Sequence, residues 1–154
     1  MRVLLSIKPE FAKSIFNGSK KYEYRKTIFR RQDIDRVLVY VTTPIKLVVG
    51  EFFVGNILHE PIHILWEKTE GTSGISKNKF IKYFENRQRG YAIEIKNTKP
   101  YDYPLSLNEL MLSSPPQSFR YLNGLNYRPA TQHNLIESSL AKGSNKRVMH
   151  SNLV

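Results

Sequence analysis

Three charged residues, Lys20, Glu23 and Arg25, lie close together in the sequence at spacings that suit a binding site. The stretch after Gly18 alternates tyrosines with charged residues, which predicts a short β-strand that follows a helix stop. Because alternate residues of a strand share a face, we expect Lys21, Glu23 and Arg25 on one face, with Lys20 at the mouth of the strand. Turned into a pocket, this face would bind a phosphate or a base edge. Turned to solvent, it would be a charged edge that discourages strand pairing.

The chain of 154 residues carries 24 Lys and Arg against 13 Asp and Glu, a net charge of +11. These basic residues concentrate in two segments, 20–31 and 77–89, where aromatic residues are interleaved with them. This pattern favours contacts to the phosphates of a nucleic acid beside rings on which bases stack. The alternative is a basic, solubilising surface whose aromatic side chains belong to the core. The candidate phosphate-binding residues in the two segments are Lys21, Arg30, Arg31, Lys79 and Lys82.

Several classes of protein are disfavoured by what the sequence lacks. The chain has no cysteine, which removes disulfides, thiolate nucleophiles and sulfur metal sites, and its four histidines are scattered. We therefore predict neither a metal site nor a cofactor. No apolar run approaches the length that a bilayer requires, and the N-terminal apolar residues end at Lys8, too soon for a signal peptide. We expect a soluble, cytosolic protein without membrane contact.

The order of the predicted elements indicates an α+β domain. Helix patterns begin at Pro9, at Pro61 and after a capping Ser76, and a shorter pattern covers 107–111. Strand patterns occur at 2–7, 22–25, 36–41, 47–54 and 91–96. Strands and helices without regular alternation predict a small mixed barrel, closed or nearly closed, with inserted helices.

The composition of the chain changes towards its C-terminus. Residues 1–128 are expected to form the domain. Residues 129–154 have few aliphatic side chains, and we predict one short amphipathic helix and a basic tail there.

Three residues later in the chain are further candidates for the site. Gln117 and Ser118 follow two prolines, which stiffen the backbone and could present both polar side chains to a base edge. Tyr91 could supply a stacking ring. The plain alternative is that the segment after the prolines only anchors the C-terminal part of the domain on the barrel.

Four short motifs together resemble the ASCH domain family. They are Ser6-Ile7-Lys8-Pro9, the pattern Gly18-x-Lys20-x-x-Glu23-x-Arg25, Gly90-Tyr91-Ala92-Ile93 and Pro116-Gln117-Ser118-Phe119. The second motif, between the first helix and the second strand, is the mark of that family, and the resemblance covers roughly residues 1–122. It implies a PUA-like β-barrel with a cleft lined by this motif, and a role in binding RNA or nucleotides.

The resemblance also carries two enzymatic alternatives. Some ASCH members are single-strand ribonucleases; here Lys8, Lys20 and Arg25 would hold the phosphate while Glu23 acts as a base on a 2′-hydroxyl. Others remove the acetyl group from N4-acetylcytidine with a lysine, a threonine and a glutamate. Lys20 matches that lysine, and Glu23 stands at the threonine position. Near the place of the glutamate the chain has Ser73, with Glu70 close by. Alternatively, Glu23 only pairs with Lys20 or Arg25 and keeps the floor of the cleft folded.

A third class, a DNA-associated regulatory module, is supported only by the basic tail. RNA or a nucleotide is therefore the expected partner, with DNA as an alternative. The sequence identifies no protein partner.

Overall fold

The computed structural model describes residues 1–123, which form six strands and three α-helices. The strands are β1 (Arg2–Ile7), β2 (Tyr22–Arg25), β3 (Arg36–Val41), β4 (Leu47–Pro61), β5 (Arg89–Leu105) and β6 (Phe119–Leu122). The helices are α1 (Pro9–Phe16), α2 (Ile62–Thr69) and α3 (Lys77–Tyr83). Short 3-10 helices occur at Glu70–Thr72 and at Asn108–Leu110, and the latter takes the place of the helix predicted at 107–111. The predicted C-terminal helix, the basic tail and the domain boundary at 128 lie outside the described residues.

The six strands form one mixed sheet in the order β2-β5-β4-β3-β1-β6. Neighbours β1 and β3 run parallel, since α1 and β2 return the chain from the end of one strand to the start of the other. The other neighbours are antiparallel. Strand β3 is central, as its nearly continuous apolar sequence predicts, and Val37, Leu38 and Val39 are fully buried.

Strands β4 and β5 are much longer than the sequence patterns predicted. They end at Pro61 and Leu105, whereas the predicted strands ended at 54 and 96. Their mutual register shifts at three points, so the alternation of apolar and polar residues loses its phase along both strands. Periodicity therefore located only the first half of each strand.

The α+β class is confirmed, and the sheet curls towards a barrel without closing as one. Among the described residues, the edge strands β2 and β6 have no backbone pairing with each other. The side chain of Arg25, the last residue of β2, spans the gap to Ser118 beside β6. The apolar core inside the curl includes Val3, Leu5, Val39, Phe52 and Ile93.

Local sequence explains where the helices begin and end. Helix α1 begins at Pro9, whose fixed φ suits a first helical position. After α1, Gly18 turns the chain with a φ of +83°, which other residues rarely adopt. The hydroxyl of Ser76 accepts a hydrogen bond from the Lys79 backbone N–H, which confirms the predicted cap of α3. Over residues 1–123, no helix is long and apolar enough to cross a bilayer.

Candidate functional site

Lys20 is the most deeply buried residue of the charged motif, with only 2% of its surface exposed. The turn after α1 is fixed by a hydrogen bond from the Lys20 N–H to the Ser14 carbonyl at 2.9 Å. The side chain passes inward, and its ammonium donates to the Ser73 carbonyl at 3.1 Å. The ammonium also lies 4.6 Å from the ring centroid of Tyr24, a cation–π contact. The fold therefore holds this amine in one place instead of leaving it in solvent.

Burial changes the acid–base behaviour of Lys20. Loss of hydration disfavours the charged ammonium and lowers the pKa of Lys20, while the negative charge of Glu23 opposes part of this shift. A lysine with a lowered pKa holds its proton less tightly than a surface lysine does. It can therefore donate and take back a proton nearer to neutral pH, which a general acid or base requires.

Glu23 lies between the two cations of the motif and is 6% exposed. One carboxylate oxygen is 3.9 Å from the Lys20 ammonium, and the other is 3.6 Å from a guanidinium nitrogen of Arg25. Both distances suit ion pairs and are too long for good hydrogen bonds. Within the described residues, no hydrogen bond is made to this carboxylate, so its lone pairs are open to a proton of a ligand.

The guanidinium of Arg25 is held by three oxygen atoms from two distant segments. Its Nη2 donates to the carbonyl and to the hydroxyl of Ser118, both at 2.8 Å. Its Nη1 donates to the Ser6 carbonyl at 3.3 Å. The Ser6 hydroxyl in turn donates to the Pro116 carbonyl at 2.6 Å, which fixes the segment that carries Ser118. These contacts hold a permanent positive charge in a fixed orientation beside Glu23.

Tyr83, the last residue of α3, borders the same charged group. Its side chain is 37% exposed, and the ammonium of Lys26 lies 5.3 Å from the ring centroid. Burial raises the pKa of the Tyr83 hydroxyl, and the positive charge of Arg25 is the main opposing cause, so the two groups are close in space. A partly exposed ring beside a guanidinium can stack on a base whose phosphate that guanidinium binds.

The structure brings only some of the predicted site residues together. Ser118 joins the motif through Arg25, as described above. Tyr91 pairs with Arg25 across β2 and β5, but its ring stacks on His59, with centroids 4.2 Å apart. Lys21 is exposed, so it does not join Glu23 and Arg25 in the buried row.

Of the other predicted phosphate-binding residues, two already have acidic partners. Arg31 binds Asp33 at 2.8 Å, and Lys79 binds Glu10 at 2.6 Å. Both pairs are largely exposed, so neither contributes much to stability. The other predicted side chains of this group are exposed on the surface: Lys8, Arg30, Lys82 and Gln117.

The aromatic residues of the basic segments divide between core and surface. Tyr24, Phe29 and Phe84 are buried in apolar clusters, so the core alternative is correct for them. Tyr22 is half-buried and Tyr83 is partly exposed. Of these rings, Tyr83 therefore has the exposure and the charged neighbours that stacking on a base requires.

Sequence reasoning does not identify the oxygen atoms that hold the motif in place. Ser6 and Ser73 accept these hydrogen bonds with their backbone carbonyls. Every residue has a backbone carbonyl, so the sequence does not show which ones will be used. Ser73 stands out in the sequence only because it lies near the place of a glutamate in the family motif. Tyr83 is part of a basic segment, but the influence of the Arg25 charge on its pKa depends on the position of α3.

Among residues 1–123, no three histidine, aspartate or glutamate side chains are grouped as they would be around a metal ion.

Comparison with known proteins identifies relatives of very different length. The large ribosomal subunit protein uL22 of Ureaplasma parvum is 33% identical over 122 residues, which are 78% of this chain and 39% of that protein. An ASCH domain-containing ribonuclease of Zymomonas mobilis is 29% identical over 123 residues, which are 77% of this chain and 82% of the relative. This chain thus spans about two fifths of the first relative's length and most of the second's. No family model matches the chain.

Solved structures resemble the whole fold. The crystal structure of ASCH from Zymomonas mobilis has a TM-score of 0.72 at 24% identity and covers 90% of this chain and 94% of its own. A serine-to-alanine mutant of that protein has the same TM-score and covers 91% of this chain and 95% of its own. The likeness confirms the α+β, PUA-like fold that the sequence motifs implied, with the sheet left open between β2 and β6.

Proposed function

We propose that this chain, which belongs to the ASCH domain family, binds RNA at the site formed by Lys20, Glu23 and Arg25. The observation that carries the proposal is the immobilised guanidinium of Arg25 beside a carboxylate that accepts no hydrogen bond from the described residues. These contacts use three of the five N–H groups of the guanidinium, and the remaining two can donate to phosphate oxygens. An unsatisfied carboxylate beside them suits a hydroxyl or an amino group of the same ligand.

The surface supports a polyanionic ligand as well. The whole chain has a net charge of +11, and Lys8, Lys21, Arg30 and Lys82 are exposed. Such side chains attract any nucleic acid without reading its sequence. The buried motif would then select among the nucleic acids that the surface gathers. A cytosolic location, where RNA is abundant, is consistent with this role and is part of the proposal.

A second function, cleavage of single-stranded RNA without a metal cofactor, is favoured by the lowered pKa of Lys20 beside Glu23. In this reaction Glu23 takes the proton of a 2′-hydroxyl, and the 2′-oxygen forms a bond to phosphorus. The bond from phosphorus to the 5′-oxygen breaks, and that oxygen takes a proton from the Lys20 ammonium. Arg25 binds the charged phosphoryl oxygens throughout. The products are a 2′,3′-cyclic phosphate and a 5′-hydroxyl. The Zymomonas mobilis relative is named a ribonuclease, which agrees with this alternative.

The amidohydrolase alternative has less support from the contacts of this chain. The hydroxyl of Ser73, near the place of the family's glutamate, donates to the Ile75 carbonyl at 2.9 Å. Its backbone carbonyl, and not a carboxylate, accepts from Lys20. Lys20 and Glu23 would therefore have to perform deacetylation of N4-acetylcytidine without a second acid at that position.

One experiment separates these functions. Purified protein is incubated with single-stranded RNA, duplex DNA and N4-acetylcytidine, with and without EDTA, and both retention and products are measured. We expect RNA to be retained most strongly, and Lys20→Met and Glu23→Gln to abolish any RNA cleavage. Lys13→Met, which removes an exposed lysine of α1, is the matched control. Failure of the wild-type protein to retain RNA would refute the proposed function.

A 2′-deoxy nucleotide at the cleaved position distinguishes binding from cleavage. Such an RNA lacks the attacking hydroxyl, so we expect it to bind without being cut. Cleavage of that substrate would exclude the 2′-hydroxyl mechanism and leave the binding function intact.

A further inference from the structure

A cavity of about 460 Å³ lies between α1 and the segment that leads into α3. Its lining residues are Glu10, Phe11, Ser14, Gly74, Ile75, Ser76 and Lys79. This volume falls within the range that small-molecule sites occupy, roughly 300–1,000 Å³. None of these residues belongs to the Lys20, Glu23 and Arg25 site, so the cavity is a separate feature of the molecule.

The charges around the cavity favour a neutral ligand group over a phosphate. The ammonium of Lys79 and the carboxylate of Glu10 lie 2.6 Å apart, so their charges cancel. The hydrogen bond from Lys79 lowers the pKa of the Glu10 carboxyl, so this group remains an anion at neutral pH. A phosphate would therefore meet a carboxylate here, whereas the site at Arg25 offers two cations to one anion.

The cavity offers a ring and polar atoms, which together suit a nucleobase. Phe11 contributes an aromatic side chain. The Ser76 hydroxyl accepts from the Lys79 N–H and keeps its own proton free to donate. The Ser14 hydroxyl donates to the Glu10 carbonyl and keeps lone pairs free to accept. A base needs such a combination of stacking surface, donor and acceptor.

The cavity is backed by the residue at the centre of the proposed function. The Phe11 centroid lies 5.3 Å from the Lys20 ammonium of the charged motif and 6.0 Å from the Lys79 ammonium of the cavity. The ring therefore lies near both the charged motif and the cavity. Gly74 packs so closely on Lys20 that a Cβ there would come within 2.5 Å of the Lys20 Cβ. A single wall thus separates the base-sized cavity from the charged motif.

We propose that this cavity binds the base of the RNA nucleotide next to the phosphate held by Arg25, so that phosphate and base subsites alternate along the strand. The inference rests on the proposed function and adds a second subsite, which binds a base of the RNA. Grooves for single strands commonly combine charge for the backbone with rings for the bases. The Lys79 side chain, which lines the cavity, is 56% accessible and is held there by the exposed ion pair with Glu10.

The test fills the cavity. Ser14→Trp places a large ring where the base would lie, and Asn78→Trp adds the same ring at an exposed position of α3 that does not line the cavity. With a single-stranded RNA hexamer as the probe, we expect Ser14→Trp to weaken binding roughly tenfold or more, as the loss of one stacked base would. Asn78→Trp should bind like the wild type, and both variants should melt as the wild type does.

A second measurement does not depend on the substitution. Adenosine, cytidine, guanosine and uridine are added separately to the wild-type protein, and backbone amide shifts are followed by NMR. We expect changes at Phe11, Ile75 and Ser76 with at least one nucleoside, although none carries a phosphate. Unchanged shifts at these residues, together with equal RNA affinity of the two tryptophan variants, would overturn the inference and leave the proposed function standing. Loss of RNA binding in the Lys20 variants alone would then locate the whole interaction at the charged motif.

Discussion

Arg25 and Ser118 are 93 residues apart in sequence, yet one guanidinium nitrogen of Arg25 lies 2.8 Å from both the carbonyl and the hydroxyl oxygen of Ser118. This double contact links the end of β2 to the start of β6, which are the two edges of the sheet. It also fixes the positive charge that the proposed function assigns to a phosphate. Stability and binding are therefore coupled at this pair.

The coupling predicts the effect of Ser118→Ala. The substitution removes the hydroxyl contact and leaves the carbonyl contact, so we expect the free energy of unfolding to fall by about 1–2 kcal/mol. RNA affinity should fall as well, because the guanidinium is then held by one fixed partner fewer. Denaturant unfolding and RNA titration measure the two effects. Ser113→Ala, at an exposed serine, is the control, and equal stability of the two variants would contradict the prediction.

The lowered pKa of Lys20 predicts how stability depends on pH. Because the folded-state pKa lies below the ordinary value of 10.5, the unfolded chain binds more protons between those two values, and stability rises with pH across that window. The buried charge thus weakens the fold at neutral pH and ceases to do so as the amine deprotonates. In Lys20→Met this contribution is absent. We expect the stability of the wild type relative to that variant to increase from neutral pH towards 10.5.

Parallel urea titrations of both proteins over this pH range check the prediction. Other titrating groups act alike in the two proteins, so they cancel in the difference. A difference that stays constant with pH would show that Lys20 keeps an ordinary pKa in the folded state.

The close packing of Gly74 on Lys20 predicts a sensitive position. Gly74 has a φ of +66°, and an added Cβ would meet the Lys20 Cβ at 2.5 Å, so Gly74→Ala should lower stability by about 1–3 kcal/mol and displace Lys20. Gly71→Ala is a matched control, because a Cβ there meets nothing within 4 Å. Thermal unfolding and RNA cleavage are the measurements. Similar behaviour of the two alanine variants would exclude a tight Gly74–Lys20 contact.

The exposed cations predict the salt dependence of RNA binding. Reversing Arg30 and Lys82 to glutamate should weaken binding to all RNA sequences alike and reduce the slope of log affinity against log salt by about 1 for each phosphate that the variant no longer binds. Lys68→Glu removes a lysine that already pairs with Glu60 and serves as the control. An unchanged slope in the double variant would show that other residues bind the RNA backbone.

The sequence predicted the elements that depend on local pattern, and the structure adds the contacts that depend on distant segments. Alternation around Glu23 and Arg25 placed β2 correctly, and Pro9 and Ser76 marked two helix starts. The same alternation predicted that Lys21 shares the face of Glu23 and Arg25, but the strand begins at Tyr22, and Lys21 is exposed while the other two are buried. Lys21 precedes the strand, and its N–H donates to the Thr72 carbonyl at 2.8 Å instead of to β5, so the regular alternation of the strand starts only after it.

The burial of Lys20 could not be predicted from periodicity. Its ammonium is held by a carbonyl 53 residues away and by aromatic rings of α1 and β2, none of which follows from the motif itself. Charge likewise indicated a polyanion without indicating which aromatic rings would be accessible. The accessibility of each ring depends on how α3 packs against β2.

The side-chain link between β2 and β6 has a consequence for synthesis of the chain. Ser118 is made long after Arg25, and without it the guanidinium lacks two of its three oxygen partners. A nascent chain that ends before this serine therefore carries the motif residues but not their fixed arrangement. The proposed RNA binding at this site would then appear only once translation has passed residue 118, and a half-made chain would not yet hold RNA there.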